Sequence, residues 1–262
     1  MSGQQFVTTL FISDLHLDES RPKITAAFFH FLENHAYAAE ALYILGDFFE
    51  AWIGDDEDSA LSREVVVQLR RLSNSGVRLF IMHGNRDFLL GDVFAKQTGA
   101  CLLADRHCID LYGQKILLMH GDTLCTADTE YMTFRKQVRN PQWQSQLLAM
   151  PLEQRRLLAA QMRAQSREAN QQNNMNNMNN TDIMDVSPNE VVTEMEKAGV
   201  QIFIHGHTHR PQRHTLSANG KAAERIVLGD WEENLWYVQA NSTEAKSNDP
   251  KLELIESGID EI

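Results

Sequence analysis

Cysteine is scarce in this sequence, and long apolar runs and an N-terminal basic leader are missing. Three cysteines, Cys101, Cys108 and Cys125, occur among 262 residues, and no two have the C-x-x-C spacing. An odd number of cysteines without a pattern argues against a disulfide framework and favours free thiols in a reducing compartment. No run reaches the about 18 to 20 apolar residues of a membrane span, and residues 1–17 contain no Lys or Arg. We therefore expect neither a transmembrane helix nor a signal peptide.

Basic residues are also in deficit. The chain has 24 Lys and Arg against 36 Asp and Glu, a net charge of −12 and a pI near 5.3. General nucleic-acid binding usually requires a basic excess, so we expect no nucleic-acid partner. The chain is 43% hydrophobic, which at this length is enough for one large α/β domain or for one domain with an inserted cap.

Five short apolar runs recur along the chain, and each ends in polar residues. They are "TLFISDLH", "ALYILGD", "VRLFIMHGNRD", "KILLMHGD" and "VQIFIHGHTH". Runs of four to six Leu, Ile, Val and Phe that stop at Gly or Asp are typical of strands buried on both faces.

Helical patterns lie between several of these strands. "SALSREVVVQLRRLSNSG" has an apolar stripe and ends at Gly76, and "SPNEVVTEMEKAG" ends at Gly199. In the second, Ser187 is expected as the N-cap, Pro188 as the first helical residue and Glu190 as the capping-box partner. Alternating strands and helices predict an α/β sandwich, with active groups on loops at the carboxyl ends of the strands.

The segment from residue 128 to 182 departs from this alternation and is predicted to be an inserted helical cap. Pro141 and Pro151 divide it into two or three helices, and the Asn-rich stretch 171–180 is predicted to be a flexible loop. Between Tyr131 and Asn170 seven Lys and Arg face two Glu, a local charge of +5. The core would then comprise residues 1–127 and 183–240. The polar, acidic tail, residues 241–262, would hold at most one strand, near Leu252 to Ile255.

The polar residues at the strand ends form a set with metal-ligand chemistry: Asp14, His16, Asp47, Asn85, His120, His207 and His209. Two pairs have i, i+2 spacing, which in extended backbone points both side chains to one side. Carboxylate, imidazole and amide ligands without thiolate suit Mn, Fe or Zn. Seven ligands exceed what one ion needs and predict two ions that share a carboxylate, for which Asp47 is the natural bridge. His205, at the end of an apolar run, is expected to be structural.

Taken singly, each of these motifs is common, and an Asp at a strand end is often only a turn residue. Their order is specific, however: "SDLH", "LGDFFE", "HGNRD", "MHGD" and "GHTHRP" resemble the calcineurin-like metallophosphoesterases from about Leu10 to Leu228. The resemblance implies two mixed β-sheets flanked by helices, with an inserted helical cap. It also implies two Mn²⁺ ions. One would be held by Asp14, His16, Asp47 and His209, and the other by Asp47, Asn85, His120 and His207.

Further motifs resemble one branch of that family, which hydrolyses UDP-2,3-diacylglucosamine in lipid A biosynthesis. They are "LYILGDFFEAWIGDD", "HGNRDFLLG", "LMHGDTLCTAD", "SREAN" and "IMDV". The resemblance implies that a water molecule activated by two metals attacks the uridine-side phosphorus and gives UMP and 2,3-diacylglucosamine 1-phosphate. The implied catalytic residues are Asp47, Asn85, Arg86 and His120. The implied substrate contacts are Asn85, Arg86, Asp128, Ser166, Asn170, Asn173 and His207, with Asn173 at a position that is usually lysine.

The chemistry of Arg86 also favours cleavage of a pyrophosphate bond. The wider family usually has a histidine there, placed to protonate a leaving alkoxide, whereas an arginine is not a proton donor near neutral pH. Arg86 can instead grip phosphate oxygens, which favours a leaving group that needs no proton, such as the phosphate of a pyrophosphate. Two alternatives stay open: a cyclic-nucleotide or phosphomonoester hydrolase, and a metal-free scaffold on the same fold.

The expected setting follows from the cap and from the resemblance. The cap would hold the acyl chains, and its basic excess could contact anionic lipid, at about 1 kcal/mol for each basic residue near the surface. We therefore expect a cytoplasmic monomer that associates peripherally with the cytoplasmic face of the inner membrane.

Overall fold

Two β-sheets pack face to face and carry helices on their outer sides. The computed structural model describes residues 7–176, 185–242 and 250–259. Six strands form the first sheet and five form the second. Each sheet contains both parallel and antiparallel pairs, which confirms the predicted α/β sandwich of two mixed sheets.

The first sheet has the order β11-β10-β1-β2-β3-β4. Strands β1 to β4 run parallel, and β10 and β11 add an antiparallel pair next to β1. The strand bounds are β1 Thr8–Ile12, β2 Ala41–Leu45, β3 Arg78–Met82, β4 Cys101–Leu103, β10 Asn234–Asn241 and β11 Lys251–Gly258.

The second sheet has the order β5-β6-β7-β9-β8. Strands β6, β7 and β9 are parallel, and β5 and β8 close the two edges as antiparallel strands. The bounds are β5 Arg106–Leu111, β6 Gln114–Met119, β7 Ile202–His205, β8 Gln212–Ala218 and β9 Lys221–Val227.

Seven α-helices connect or flank the strands within the described residues. They are α1 Pro22–Asn34, α2 Ala60–Asn74, α3 Asp92–Thr98, α4 Thr129–Val138, α5 Pro141–Leu148, α6 Leu152–Asn176 and α7 Pro188–Ala198. Helices α4, α5 and α6 follow β6 without an intervening strand, at the place of the predicted cap, and Pro141 and Pro151 separate them as expected.

The core has three layers because alternate residues of each strand face opposite sides. On β1, Phe11 packs between the sheets with Tyr43 and Ile204. Leu10 and Ile12 face the other way, towards Phe28 and Phe31 of α1. Leu117 and Phe203 of the second sheet pack against Val191 and Met195 of α7. Burial of each large apolar side chain contributes roughly 2 kcal/mol and fixes the strands relative to one another.

The five predicted strands are all present, as β1, β2, β3, β6 and β7. Helices α2 and α7 end as predicted, with left-handed Gly76 and Gly199 just beyond them. The predicted capping box of α7 is wrong, since the Ser187 side chain makes no capping hydrogen bond. Glu190 would have to accept the Ser187 backbone N–H, but that group already donates to the Leu124 carbonyl at 2.8 Å.

Two further expectations concern the Asn-rich stretch and the tail. Helix α6 continues to Asn176, so residues 171–176 are helical, and the predicted loop is wrong for those six. Asparagine is only a moderately poor helix former, and a helix already nucleated can continue through it. Residues 177–180 lie outside the described residues. In the tail, the predicted strand is present as β11.

The basic residues of the cap pair mostly with acids of the core. Arg135 and Arg139 reach Asp105, and Arg135 also reaches Asp122. The first half of α6 faces the acidic loop 50–58, through the pairs Arg155–Asp56, Arg156–Glu57, Arg156–Asp58 and Arg163–Glu50. Five of the seven basic residues in the predicted excess are therefore matched by core carboxylates. Most of the basic residues behind the local charge of +5 therefore form ion pairs that hold the cap against the core.

The described residues contain no helix that is both long and apolar enough to cross a membrane. Cys101, Cys108 and Cys125 are thiols that form no disulfide, as predicted.

Candidate metal centre

The carboxyl ends of β1, β2, β6 and β7 bring five of the seven predicted ligands together. Ligand atoms of Asp14, His16 and His209 lie within 4.8 Å of one another, and so do those of Asp14, Asp47 and His120. The ends of β1 and β2 belong to the first sheet, and those of β6 and β7 belong to the second. The cluster therefore occupies the edge where the two sheets meet.

The backbone at this edge is left-handed. Five of the predicted ligands have positive φ: Asp14 at 57°, His16 at 50°, Asp47 at 49°, His207 at 71° and His209 at 54°. The expectation that the i, i+2 pairs lie in extended backbone is therefore wrong, since β1 ends at Ile12 and β7 at His205. Such conformations cost about 1 to 3 kcal/mol each and collect at functional sites.

Backbone hydrogen bonds hold these strained residues in place. Beyond the ends of β1 and β2, Asp14 N–H donates to Gly46 O at 3.1 Å and His16 N–H donates to Asp47 O at 3.0 Å. The loop after β9 also contributes, because Trp231 N–H donates to Asp14 O at 3.2 Å. The surrounding chain thus fixes the conformations that place the side chains.

Two glycines let the strand ends approach closely. A Cβ added at Gly206 would lie 2.1 Å from Asp14 Oδ2, and one at Gly84 would lie 2.1 Å from Asp47 Oδ1. Neither distance is possible for a real side chain. The glycines of "GHTH" and "HGNRD" are therefore required by contact with the two central carboxylates.

The first donor group contains Asp14, His16 and His209. His16 Nε2 lies 3.2 Å from His209 Nε2, and His209 Nε2 lies 3.5 Å from Asp14 Oδ1. The other Asp14 oxygen, Oδ2, accepts hydrogen bonds from Ser13 Oγ and from His207 N–H. Oδ1 is buried and has no hydrogen-bond partner, so it faces the two imidazole nitrogens as a free donor atom.

The second donor group contains Asp14, Asp47 and His120, and Asn85 lies beside it. His120 Nε2 lies 3.0 Å from Asn85 Oδ1 and 3.7 Å from Asp47 Oδ1. The His207 ring lies next to it, 5.0 Å from the His120 ring between centroids. The second oxygen of Asp47, Oδ2, lies 4.0 Å from His16 Nε2. Asp47 thus turns one oxygen towards each group.

The outer nitrogens of two of the histidines are occupied. His120 Nδ1 donates to Leu45 O at 2.9 Å, and His209 Nδ1 lies 3.3 Å from Asp230 Oδ2. Both rings therefore direct Nε2 towards the cluster, the arrangement found where histidines bind metals. Imidazole nitrogens, two carboxylates and an amide oxygen form a donor set that fits a pair of divalent cations.

The pKa values reflect buried, crowded charges. Burial raises the pKa of Asp47 to about 7, against the opposing effect of His120 and Arg86. Burial would also raise the pKa of Asp14, but its histidine neighbours outweigh this and lower it. Burial would lower the pKa of His209, but the carboxylates of Asp14 and Asp230 outweigh burial and raise it to about 10. A bound cation would displace protons from this cluster.

Arg86 lies beside the cluster. Its Nε is 3.2 Å from Asp47 Oδ2, and its Nη1 is 2.9 Å from Glu50 Oε2. Burial would lower its pKa, but the two carboxylates outweigh burial and raise it, so Arg86 keeps its charge. About a quarter of the side chain is exposed, which leaves the guanidinium accessible at the edge of the cluster.

His205 lies outside both donor groups, in line with its expected structural role. The ring is buried and stacks on Phe203 with centroids 4.9 Å apart. Its Nδ1 donates to Gly206 O at 2.8 Å. Burial lowers its pKa to about 3, so the ring is neutral.

The predicted substrate contacts are less well defined. Asp128 caps helix α4 by accepting the Tyr131 N–H at 2.8 Å, which gives it a structural role. Ser166 is exposed on α6. Asn170 and Asn173 lie further along the same helix, and their side chains are outside the described residues.

Sequence reasoning missed two acidic residues that face the metal centre. Asp230 follows the run "RIVLGD", which has the same pattern as "ALYILGD" and could have identified it. Glu50 lies three residues after Asp47 in the quoted motif "LGDFFE", but nothing in its spacing indicates that it reaches His16 and Arg86.

Comparison with known proteins matches this geometry. A family model described as calcineurin-like phosphoesterase matches residues 7–211. The UDP-2,3-diacylglucosamine hydrolase of Cellvibrio japonicus is 59% identical over 90% of this chain and 96% of that protein. The proteins of the same name from Marinobacter nauticus and Enterobacter sp. are 55% and 50% identical, over 91% and 90% of this chain and over 95% and 96% of their own lengths.

Solved structures are more distant. The phosphoesterase Yfce from E. coli has a TM-score of 0.44 at 14% identity, over 97% of this chain and 100% of that chain. The family assignment therefore rests on the family model and on the sequence relatives.

Proposed function

The chain belongs to the calcineurin-like phosphoesterase family, and we propose that it hydrolyses the pyrophosphate bond of UDP-2,3-diacylglucosamine. The products are UMP and 2,3-diacylglucosamine 1-phosphate, in lipid A biosynthesis. Relatives named for this substrate match nearly their whole length. The observation that carries the proposal is the pair of donor groups, Asp14–His16–His209 and Asp14–Asp47–His120, at an edge that also holds Arg86.

We propose two Mn²⁺ ions as the cofactors. Family membership implies a divalent dinuclear centre, and the donor set fits one. One ion would be held by Asp14, His16, Asp47 and His209, and the other by Asp47, Asn85, His120 and His207. When bound, such ions make water a better nucleophile and offset negative charge on the attacked phosphoryl group.

The residues of the chain then bind and orient the diphosphate. Arg86 is charged and accessible, and its planar guanidinium can grip two phosphate oxygens. It cannot supply a proton to the leaving group, which a departing phosphate does not need. Attack at the uridine-side phosphorus leaves the bridging oxygen on the sugar-lipid phosphate. For the remaining substrate contacts we propose Asp128, Ser166, Asn170 and Asn173, along the cap.

The direct test is product analysis with UDP-2,3-diacylglucosamine and added Mn²⁺. Wild-type protein should release UMP, and Asp47→Ala should lose activity by orders of magnitude because both proposed ions lose the ligand that they would share. Asp92→Ala, an exposed aspartate at the start of α3, is the matched control and should retain activity. Release of product from cyclic nucleotides or phosphomonoesters instead of UMP would assign the other hydrolase activity. No turnover and no metal binding would favour a scaffold.

We propose that the protein works as a monomer on the cytoplasmic face of the inner membrane. One chain supplies all seven proposed ligands, which supports the monomer. The cap exposes Phe134, Leu148 and Leu157, the last by 65%, which supports contact with lipid. Because core acids neutralise most basic residues of the cap, apolar contact should outweigh charge.

Vesicle flotation tests the membrane proposal. Wild-type protein should bind vesicles that contain anionic lipid, with only a modest loss at high salt. Leu157→Gln should bind more weakly, while Val67→Gln, an exposed apolar residue of α2 on the core, should not differ from wild type. Wild-type protein that stays unbound at low salt would contradict the proposal.

A further inference from the structure

Glu50 lies where the metal centre, the core loops and the cap meet. Its carboxylate oxygen Oε2 is 2.9 Å from Arg86 Nη1 and 3.4 Å from His16 Nδ1. The other oxygen, Oε1, accepts from Arg163 Nη2 of helix α6. One side chain therefore contacts a proposed ligand, the arginine beside the cluster and the cap.

The backbone of Glu50 is fixed in the same way. Its N–H donates to Leu17 O at 3.0 Å, which ties it to the loop that carries His16. Its carbonyl oxygen accepts from Arg163 Nη1. The carboxylate is three-quarters buried, so its position is set by the chain rather than by solvent.

The charges around Glu50 explain why a carboxylate is needed there. Arg86 and Arg163 are two positive charges that both pair with Glu50. They add to the positive charge near a site that is proposed to bind divalent cations. His16 Nδ1 is buried and has no hydrogen-bond partner, and the Glu50 carboxylate is the charge that faces it at 3.4 Å. Without the negative charge, Arg163 would lose its pairing with Glu50, and Arg86 would be left with Asp47 as its carboxylate partner.

We propose that Glu50 is a positioning residue of the metal centre. It offsets the charges of Arg86 and Arg163, limits the contact of Arg86 with Asp47 by holding Arg86 Nη1, and stabilises the side of His16 that faces away from the cluster. The proposal rests on the proposed function for the identity of the metal and substrate, but its test does not need turnover.

The test compares Glu50→Gln with Asp56→Asn in the full chain. Both substitutions keep the size of the side chain and remove one negative charge that pairs with an arginine of α6. Asp56 pairs with Arg155 rather than with His16 or Arg86. Asp56→Asn therefore reproduces the loss of a cap contact without the loss of charge beside the metal centre.

The primary measurement is Mn²⁺ binding by titration calorimetry, with thermal unfolding in EDTA as a check on folding. Glu50→Gln should weaken Mn²⁺ binding about tenfold or more, the usual effect of losing a partner of a metal ligand. Asp56→Asn should bind Mn²⁺ within about twofold of wild type. The two variants should unfold at similar temperatures in EDTA.

Two results would overturn the proposal. Glu50→Gln could bind Mn²⁺ like wild type, or Asp56→Asn could show an equal loss, which would assign the effect to attachment of the cap. Turnover of UDP-2,3-diacylglucosamine is followed separately. If wild-type protein binds Mn²⁺ but does not hydrolyse that substrate, the proposed function fails while the binding comparison still decides the role of Glu50.

Discussion

At the scale of single residues, the site depends on how Asp14 and Asp47 are held. Both are buried, both have left-handed backbone, and each sends one oxygen towards His209 or His120. The residue types and their order along the chain were sufficient to predict the five residues whose ligand atoms lie together, Asp14, His16, Asp47, His120 and His209. The conformations were not predictable, because positive φ at a non-glycine residue is disfavoured locally and arises here from backbone hydrogen bonds made by distant strands.

Gly206 offers a residue-scale test of this close packing. In Gly206→Ala the new Cβ would meet Ser13 Oγ and Asp14 Oδ2, while Gly206 N–H stays bonded to His120 O at 2.9 Å. Asp14 must therefore move. We expect a loss of about 1 to 3 kcal/mol in the free energy of unfolding and at least tenfold weaker Mn²⁺ binding.

The measurements are urea unfolding in EDTA and metal titration. Gly220→Ala is the control: its Cβ would meet nothing within 4 Å, although its φ of +69° carries some strain. It should lose stability without losing metal affinity. Equal metal binding by Gly206→Ala and wild type would mean that Asp14 is not a ligand.

At the scale of elements, the buried strands were the most predictable part of the fold. β1, β2, β3, β6 and β7 have apolar runs that end in a change of chemistry, and all five were predicted. The strands β4, β5, β8, β9 and β10 were not identified. For β5 and β8 the reason is that they lie at sheet edges and alternate largely between exposed and half-buried residues. Asp230 was missed with them, since it follows β9.

The cap shows where local charge counting is insufficient. Its sequence predicted a basic surface, but acids that pair with it lie about 100 residues away in the loop 50–58. The pairing Arg155–Asp56 could not be inferred from either segment alone. The position of the cap therefore depends on tertiary contacts, and its arginines differ in how much each contributes.

Arg155 should dominate the attachment of α6. Its side chain is 2% exposed, and it donates to Ile53 O at 2.6 Å, to Met150 O at 3.0 Å and to Asp56 Oδ1 at 2.7 Å. Arg155→Met would leave the two carbonyls without these donors. We expect the free energy of unfolding to fall by about 2 to 4 kcal/mol, with faster hydrogen exchange in α6.

Arg156→Met is the matched control on the next residue. Arg156 also forms ion pairs, but its side chain is 36% exposed, so solvent screens them and the expected change is below about 1 kcal/mol. Urea unfolding with exchange mass spectrometry compares the two variants. Equal losses would show that charge pairing, rather than buried carbonyl bonding, holds the cap.

At the scale of the whole molecule, two sheets from distant parts of the chain meet at one edge. The first sheet supplies Asp14, His16, Asp47 and Asn85, and the second supplies His120, His207 and His209, all at or beyond strand ends. Neither sheet carries a complete donor group, since His209 completes the first and His120 the second. The site therefore forms only when the sandwich forms, and the cap lies beside it through Arg163 and Glu50.

Hydrolysis of UDP-2,3-diacylglucosamine in water enriched in ¹⁸O tests the central claim most directly. With Mn²⁺-loaded protein, mass spectrometry should find a single ¹⁸O in UMP and none in 2,3-diacylglucosamine 1-phosphate, since water attacks the uridine-side phosphorus. Label in the sugar-lipid phosphate, or substrate left intact by fully loaded protein, would contradict the account.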